Sequence, residues 1–154
     1  MSRFDVVFED NSITKLTTIG FDEIAEEALK EASPILRDAT IEACQAVIQH
    51  PNDSELVKSW KATPPKATKS KDAYIANIVP KGNSTDQYYY AQDGRGGHSK
   101  RKYPVSNALK AIWLNYGVNG RQDPRPFLEN AAKSCENEVE AKIQEVFNRK
   151  VGAE

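Results

Sequence analysis

The chain has 154 residues, of which 39% are hydrophobic and 28% charged, and its 21 lysines and arginines stand against 22 aspartates and glutamates. This length predicts a single domain spanning residues 1–154, since a chain near 150 residues buries roughly 70% of the surface that it exposes when unfolded. A formal net charge of −1 excludes a strongly basic nucleic-acid-binding protein. No run of about 18 apolar residues occurs, which predicts that no helix spans a membrane.

The N-terminal sequence lacks the apolar core of a signal peptide, so we expect the protein to remain in the cytoplasm where it is made. Two cysteines, Cys44 and Cys135, are too few for a disulfide framework. Each falls on the apolar side of a predicted helix, where a thiol behaves as a small hydrophobic group. We therefore expect both to be free and buried.

The near-zero net charge conceals an uneven distribution of charged residues along the chain. Residues 1–57 carry 4 basic and 12 acidic side chains, residues 58–126 carry 13 basic and 4 acidic, and residues 127–154 carry 4 basic and 6 acidic. Such segregation indicates either a polyanionic partner or association between oppositely charged surfaces of two copies.

The first half of the chain predicts a short strand and a long helix. Residues 4–8, Phe-Asp-Val-Val-Phe, are typical of a strand. From Phe21 to Gln49 apolar residues recur at steps of three and four, which predicts an amphipathic helix. Pro34 lies inside this segment, and the apolar stripe stays in phase across it. We therefore expect a single helix kinked near Pro34 rather than a second helix capped by Ser33.

The middle of the chain changes to shorter elements. Residues 54–61 are expected to begin as a helical turn and to continue as a strand with Trp60, and residues 66–71 are expected to form a solvated hairpin tip. Residues 74–79 form the clearest strand pattern. The following segment, about residues 83–103, has the composition of a flexible loop, and loops of this length in compact domains are usually functional or disordered.

The last third is expected to contain a buried strand and a second long helix. Ala111 to Tyr116 is an apolar and aromatic run stopped by Gly117, which favours a strand. A turn-rich link follows at residues 119–126, and Phe127 to Lys150 again has helical periodicity. The predicted class is α+β, with a small antiparallel sheet packed against the long N-terminal helix and the C-terminal helix.

Residues suited to catalysis are scarce. The two histidines, His50 and His98, have no cysteine or carboxylate at the spacing that a metal site requires. The sequence contains no Gly-x-Ser-x-Gly nucleophile elbow and no phosphate-binding glycine loop. We therefore expect a protein that is not an enzyme and that uses no cofactor, no metal and no small-molecule substrate.

A basic loop beside a tyrosine cluster is the one feature with an obvious binding chemistry. Its members are Tyr88, Tyr89, Tyr90, Arg95, Lys100, Arg101 and Lys102. Lysine and arginine neutralise phosphates, and tyrosine stacks on bases. Three interpretations stay open: a solvated loop that aids solubility, a contact with a protein partner or another copy, and a contact with nucleic acid.

The segment AIWLNYGV, followed by PRPFLENAA, resembles the signature of the phage "putative tail component" family. The matching positions are Trp113, Leu114, Asn115, Tyr116, Gly117, Pro124, Arg125, Pro126, Phe127, Leu128 and Ala131. Upstream, a looser match to the family follows the long helix at Pro51, Asp53, Ser54, Leu56 and Ser59. The resemblance covers roughly residues 15–150, judged by the order of elements.

This resemblance implies a structural protein of the head–tail junction of long-tailed phages and prophages, as a neck or tail-completion subunit. The implied partners are copies of itself in a ring and other phage neck or tail proteins, with DNA only as passing cargo. The implied location is the virion, after assembly in the host cytoplasm. A cytoplasmic nucleic-acid-binding module that uses residues 95–102 is the alternative.

A ring needs a heterologous interface, in which one surface of a subunit meets a different surface on the next. We expect the acidic helix at residues 21–49 to dock against the basic region at residues 58–102 of a neighbour, because these two regions carry the opposite charges.

Overall fold

Four helices and six short strands make up the part of the chain that the structure, a computed structural model, describes: residues 20–50, 54–70, 73–92 and 98–152. The helices are α1 (Phe21–Val47), α2 (Glu55–Ser59), α3 (Asn107–Tyr116) and α4 (Phe127–Val151). The strands are β1 (Trp60–Ala62), β2 (Lys66–Ala67), β3 (Tyr74–Ile75), β4 (Ile78–Pro80), β5 (Asn83–Gln92) and β6 (His98–Ser106). The α+β class is confirmed. The strand predicted at residues 4–8 lies outside the described residues.

The two long helices, α1 and α4, pack directly against each other in antiparallel orientation. Their shared core is built largely from small and β-branched side chains: Ala28, Ala32, Cys135, Val139, Ile143 and Val146, with Ile35, Leu36 and Ala39 at its border. Small side chains allow two helix axes to approach closely, which favours burial of one continuous stripe. The two long helices thus bury their apolar stripes largely against each other. Among the described residues, no helix has the length and apolar character needed to cross a membrane.

Helix α1 runs without interruption through Pro34, as the in-phase apolar stripe predicted. A proline inside a helix removes one backbone hydrogen bond, which tertiary packing has to offset. Here Ala32 and the half-buried Ile35 and Leu36 pack against α4 on either side of Pro34. Packing therefore holds the helix together where its local sequence would weaken it.

A second core forms where α1 ends and α4 begins. It contains Cys44, Leu56, Val57, Trp60, Ala111 and Phe127. The rings of Trp60 and Phe127 meet edge to face, with centroids 6.0 Å apart. Cys44 and Cys135 are both free and buried, as predicted. Burial raises the pKa of both thiols, so each remains protonated near neutral pH.

The strands form three separate two-stranded antiparallel sheets rather than the one sheet predicted. β1 pairs with β4, β2 with β3, and β5 with β6. The single strand expected at residues 74–79 is two strands with different partners, because the chain leaves β2 after Ile75 and joins β1 at Ile78. Asn77 bridges this change of partner, since its backbone N–H donates to the Thr63 hydroxyl and its carbonyl accepts from the Thr63 N–H, both at 2.8 Å. Of the predicted hairpin tip, residues 66–67 form β2, residues 68–70 follow it, and residue 71 lies outside the described residues.

The segment predicted as a flexible loop, residues 83–103, is mostly the β5–β6 hairpin, so the loop assignment is wrong. Tyrosine has a high strand preference. The dipeptide Asp93-Gly94, between the two strands, is a strong hairpin signal. The glycines and cations near residue 97 are typical of a flexible loop, and the composition of the segment therefore outweighed the tyrosines and the Asp-Gly dipeptide in the prediction.

The strand predicted at residues 111–116 is wrong as well, because this segment belongs to helix α3. The Ser106 hydroxyl accepts the Leu109 N–H at 3.1 Å, which caps the start of the helix. Gly117 ends it with a φ of 78°, and its N–H donates to the Trp113 carbonyl. A short apolar run does not distinguish a strand from a buried helix, whereas the cap at each end does.

An ion-pair clasp joins the start of α1 to the end of α4. Arg149 contacts Glu27 and Glu31 at 2.8 and 2.5 Å, and Lys150 contacts Glu27 and Glu23 at 2.7 and 3.4 Å. A hydrogen bond from Lys150, and then one from Arg149, lowers the pKa of Glu27. Part of the acidic face of α1 is thus neutralised within the chain.

We expect this clasp to make the stability of the protein depend on pH. The folded-state pKa of Glu27 lies below its ordinary value of 4.5. Its contribution is therefore complete above that value and is lost as the pH falls through the folded pKa. Thermal melts from pH 7 to pH 3 should show a smaller loss of Tm for the double variant Arg149→Gln, Lys150→Gln than for the wild type.

A matched control for the clasp is the double variant Lys69→Gln, Arg121→Gln, which removes two cations from exposed positions away from the clasp. It should keep the wild-type dependence of Tm on pH. If both double variants have the same pH profile, the clasp does not contribute to stability. Added salt should weaken the wild-type clasp, because exposed ion pairs are screened.

Candidate partner-binding arm

The β5–β6 hairpin, hereafter the arm, contains most of the residues that sequence reasoning assigned to partner binding. Tyr88 pairs with Pro104, Tyr89 with Tyr103, and Tyr90 with Lys102. Successive residues of a strand point to opposite faces of a sheet. Tyr88 and Tyr90 therefore share one face of the arm, and Tyr89 lies on the other.

Both faces of the arm present aromatic side chains to solvent. The exposed fractions are 53% for Tyr88, 44% for Tyr89, 49% for Tyr90 and 39% for Tyr103. Val105, at the base of the arm, is 2% exposed and anchors β6 to the body of the protein. An isolated two-stranded hairpin is marginally stable in water. The arm therefore leaves aromatic surface exposed on both of its faces.

Two aromatic contacts hold the side chains of the arm in place. The rings of Tyr89 and Tyr103 stack, with centroids 5.7 Å apart and planes inclined by 27°. On the opposite face the ammonium group of Lys102 lies 5.8 Å from the centroid of the Tyr90 ring. A cation–π contact at an exposed site is worth about 0.5–1 kcal/mol. One face thus presents a stacked aromatic pair, and the other presents tyrosines with a cation.

The structure brings together only some of the predicted binding residues. Lys102 joins Tyr88 and Tyr90 on one face, whereas Tyr89 is separated from them by the pleat. Lys100 and Arg101 lie within β6, and Arg95 lies outside the described residues. Sequence reasoning missed Tyr103, which completes the aromatic pair on the second face. Pairing of two strands around Asp93-Gly94 was the signal that would have revealed it.

The base of the arm is joined to the body by polar contacts. Between the pairs Asn83–Ser106 and Tyr88–Pro104 the ladder is irregular, and β5 has extra residues there. Thr85 in this bulge donates its hydroxyl and its backbone N–H to the Glu55 carboxylate, at 2.7 and 3.2 Å. These bonds lower the pKa of Glu55. The ammonium group of Lys110 donates to the Ser84 hydroxyl at 2.8 Å and lies 3.9 Å from Glu55.

The signature residues at positions 113–128 form a structural junction rather than an open binding surface. The Arg125 guanidinium donates to the Val47 carbonyl, which satisfies the end of α1, where the last turn has no basic residue. The buried Asn115 side chain accepts the Leu128 N–H at 3.0 Å and so caps the start of α4, where Pro126 has no capping hydroxyl. Phe127 fills the second core.

The remaining signature residues have mixed exposure. Trp113 and Leu128 are half-buried, Pro124 packs against Gly117, and Tyr116 is 61% exposed on the outer side of α3. In the described residues, no three side chains among histidine, cysteine, aspartate and glutamate are placed to hold a metal ion.

Comparisons of the chain with protein-family models, with curated proteins and with solved structures find no match.

Proposed function

We propose that this chain is a non-enzymatic structural subunit of a phage head–tail junction, a neck or tail-completion protein that acts by ring assembly and docking to a connector or tail tube. The observation that carries the proposal is the arm, with tyrosines exposed on both faces. Contiguous exposed aromatic surface marks an interaction site in a small domain. The resemblance of residues 113–128 to the tail-component family supports the phage context.

The geometry of the arm suits a heterologous contact. A projecting two-stranded element enters a surface unlike itself on the next copy, and such contacts close into rings when the rotation allows. Tyrosines are favoured at interfaces because their rings bury large areas and their hydroxyls still bond to polar groups. Lys102 adds a positive charge beside the Tyr90 ring.

The acidic partner surface is smaller than the sequence suggested. Glu23, Glu27 and Glu31 form the clasp with α4 and are partly neutralised there. Glu26 and Glu42 on α1 remain exposed. A second acidic stretch on α4 is also exposed, at Glu136, Glu138 and Glu140. We therefore propose that a neighbour's arm approaches these exposed carboxylates rather than the clasped end of α1.

We expect substitution of the arm tyrosines to weaken self-assembly without unfolding the protein. In the triple variant Tyr88→Ser, Tyr89→Ser, Tyr90→Ser, association should weaken by about tenfold or more, since buried aromatic anchors dominate interface energies. Sedimentation velocity at low salt, followed by electron microscopy of any rings, measures the loss. The variant Tyr116→Ser removes an exposed tyrosine outside the arm and should assemble like the wild type.

Charge reversal tests the electrostatic part of the same contact. The variant Lys100→Glu, Arg101→Glu, Lys102→Glu should weaken the oligomers most at low ionic strength, where the interaction is least screened. Unchanged assembly of both arm variants in light scattering would contradict the proposal. A wild-type chain that stays monomeric at low salt would contradict its self-assembling part.

Nucleic-acid binding is the competing function, since a stacked tyrosine pair and nearby cations also suit unpaired bases. A gel-shift titration with single- and double-stranded DNA at two salt concentrations separates the two functions. Submicromolar binding that falls steeply with salt would favour the nucleic-acid-binding module. The assembly proposal predicts weak binding with no such affinity.

A further inference from the structure

The contacts at the base of the arm point to a conformational device. β5 has a bulge at residues 84–87, where the ladder with β6 is interrupted. A β-bulge bends its strand and leaves backbone groups without a cross-strand partner. In this chain those groups are satisfied by side chains: Glu55 accepts the Thr85 N–H, and the Ser84 hydroxyl accepts the Gln87 N–H at 3.2 Å.

Helices α2 and α3 supply the side chains that hold the bulge. Glu55 is the first residue of α2, whose N-cap is Ser54, so its backbone position is set by the helix start. Lys110 extends from α3 to the Ser84 hydroxyl, and its side chain is only 17% exposed. Ser84 itself is 3% exposed. Helices α2 and α3 thus hold residues 84–87 of the arm through these polar contacts, which we call the grip.

The grip is polar, whereas the ladder beyond it is held by contacts within the arm. Tyr88 to Tyr90 pair with residues 102–104 of β6 through the backbone and through ring contacts within the arm. Loss of the grip would therefore leave the hairpin paired, with β6 and its anchor Val105 as the remaining connection that sets its direction. Polar joints of this kind open at lower cost than apolar cores, because water replaces the lost partners.

We infer that the bulge at residues 84–87, with Glu55 and Lys110, is a latched hinge that sets the direction of the arm. Glu55 is a positioning residue in this device, and it acts on the partner-binding face through Thr85. The device would let the arm reorient when it docks onto a second copy. This role in docking rests on the proposed function, whereas the hinge itself is a property of the single chain.

The hinge can be tested by measuring a distance between the arm and the body. Spin labels at Lys102→Cys on the arm and Asn130→Cys on α4 occupy two exposed positions, and the two native thiols are buried. Pulsed electron resonance on the full chain should give a narrow distance distribution with Glu55 intact. The Glu55→Ala variant should give a clearly broader or shifted one.

Hydrogen exchange shows whether the arm itself survives. In Glu55→Ala the Thr85 amide should exchange about ten- to a hundredfold faster, since hydrogen bonds to a charged group are among the stronger ones. The amides of Tyr89 and Tyr103 should keep their wild-type protection. The variant Glu55→Gln retains an acceptor for the Thr85 N–H and should fall between the wild type and Glu55→Ala.

The matched control is Glu145→Ala, which removes an exposed carboxylate paired with Lys142 on α4, away from the labelled positions. It should leave both readouts unchanged. An unaltered distance distribution in Glu55→Ala would overturn the hinge. Loss of protection at Tyr89 and Tyr103 would overturn it as well, because Glu55 would then hold the hairpin together rather than direct it. Both readouts use the isolated chain, so a failure to assemble would contradict only the proposed function.

Discussion

Replacing Phe127 by alanine should cost about 3–5 kcal/mol of stability, the range measured for aromatic truncations in protein cores. The Phe127 side chain is 1% exposed and meets the Trp60 ring edge to face. Its neighbours come from α1, α2, β1 and α3, so a cavity here lies among four elements that cannot all close in on it. Urea unfolding monitored by tryptophan fluorescence and by circular dichroism measures the change.

Two further variants serve as controls for the effect of Phe127→Ala on stability. Phe127→Leu keeps most of the apolar volume and should cost clearly less than Phe127→Ala. Ile112→Ala truncates a side chain that is 52% exposed on α3, and it should change the free energy of unfolding by no more than about 0.5 kcal/mol. Equal losses for Phe127→Ala and Ile112→Ala would show that the second core does not contribute as its burial implies.

Replacing Gly117 by alanine should cost about 2–4 kcal/mol, from backbone strain and a steric clash together. Gly117 has a φ of 78°, which side-chain-bearing residues rarely adopt. A Cβ at this position would lie 2.7 Å from the Gln122 carbonyl oxygen and 2.9 Å from the Pro124 nitrogen. Both are backbone atoms of the link that leads into α4, so relieving the clash would move Arg125 away from the end of α1.

Gly120 separates the two causes of that loss. Its φ is 68°, close to that of Gly117, but a Cβ there would meet no atom within 4 Å. Gly120→Ala therefore carries the conformational cost alone, about 1–2 kcal/mol. If the two substitutions are equally destabilising in urea titrations, the close approach to residues 122 and 124 has no energetic consequence.

The long helices could be predicted from the sequence because each repeats its apolar positions over more than twenty residues. The shorter elements could not be predicted in this way, as residues 83–116 illustrate. The composition of residues 83–103 predicted a loop, and the apolar run at residues 111–116 predicted a strand. Both predictions are wrong. In a short segment the deciding interactions are the cap by Ser106, the turn at Gly117 and the strand pairing of Tyr89 with Tyr103.

The candidate site was also predicted from the sequence only in part. Tyr88, Tyr89, Tyr90 and Lys102 stand out in the sequence as candidate binding residues. Their separation onto two faces, and the addition of Tyr103, follow only from the register of the arm. Glu55 and Lys110 carry no local signal, because they are 55 residues apart in sequence and come together beside the bulge of β5 only in the folded chain.

By itself, the sequence determined the α+β class, the two amphipathic helices, the buried free thiols and the segregation of charge. These follow from periodicity and composition, which act over long stretches of chain. The tertiary structure decided that α1 packs on α4, that their facing charges form a clasp, and that residues 83–92 pair with residues 98–106 to form the arm. Each of these depends on contacts between distant residues, whose geometry is set by packing rather than by local preference.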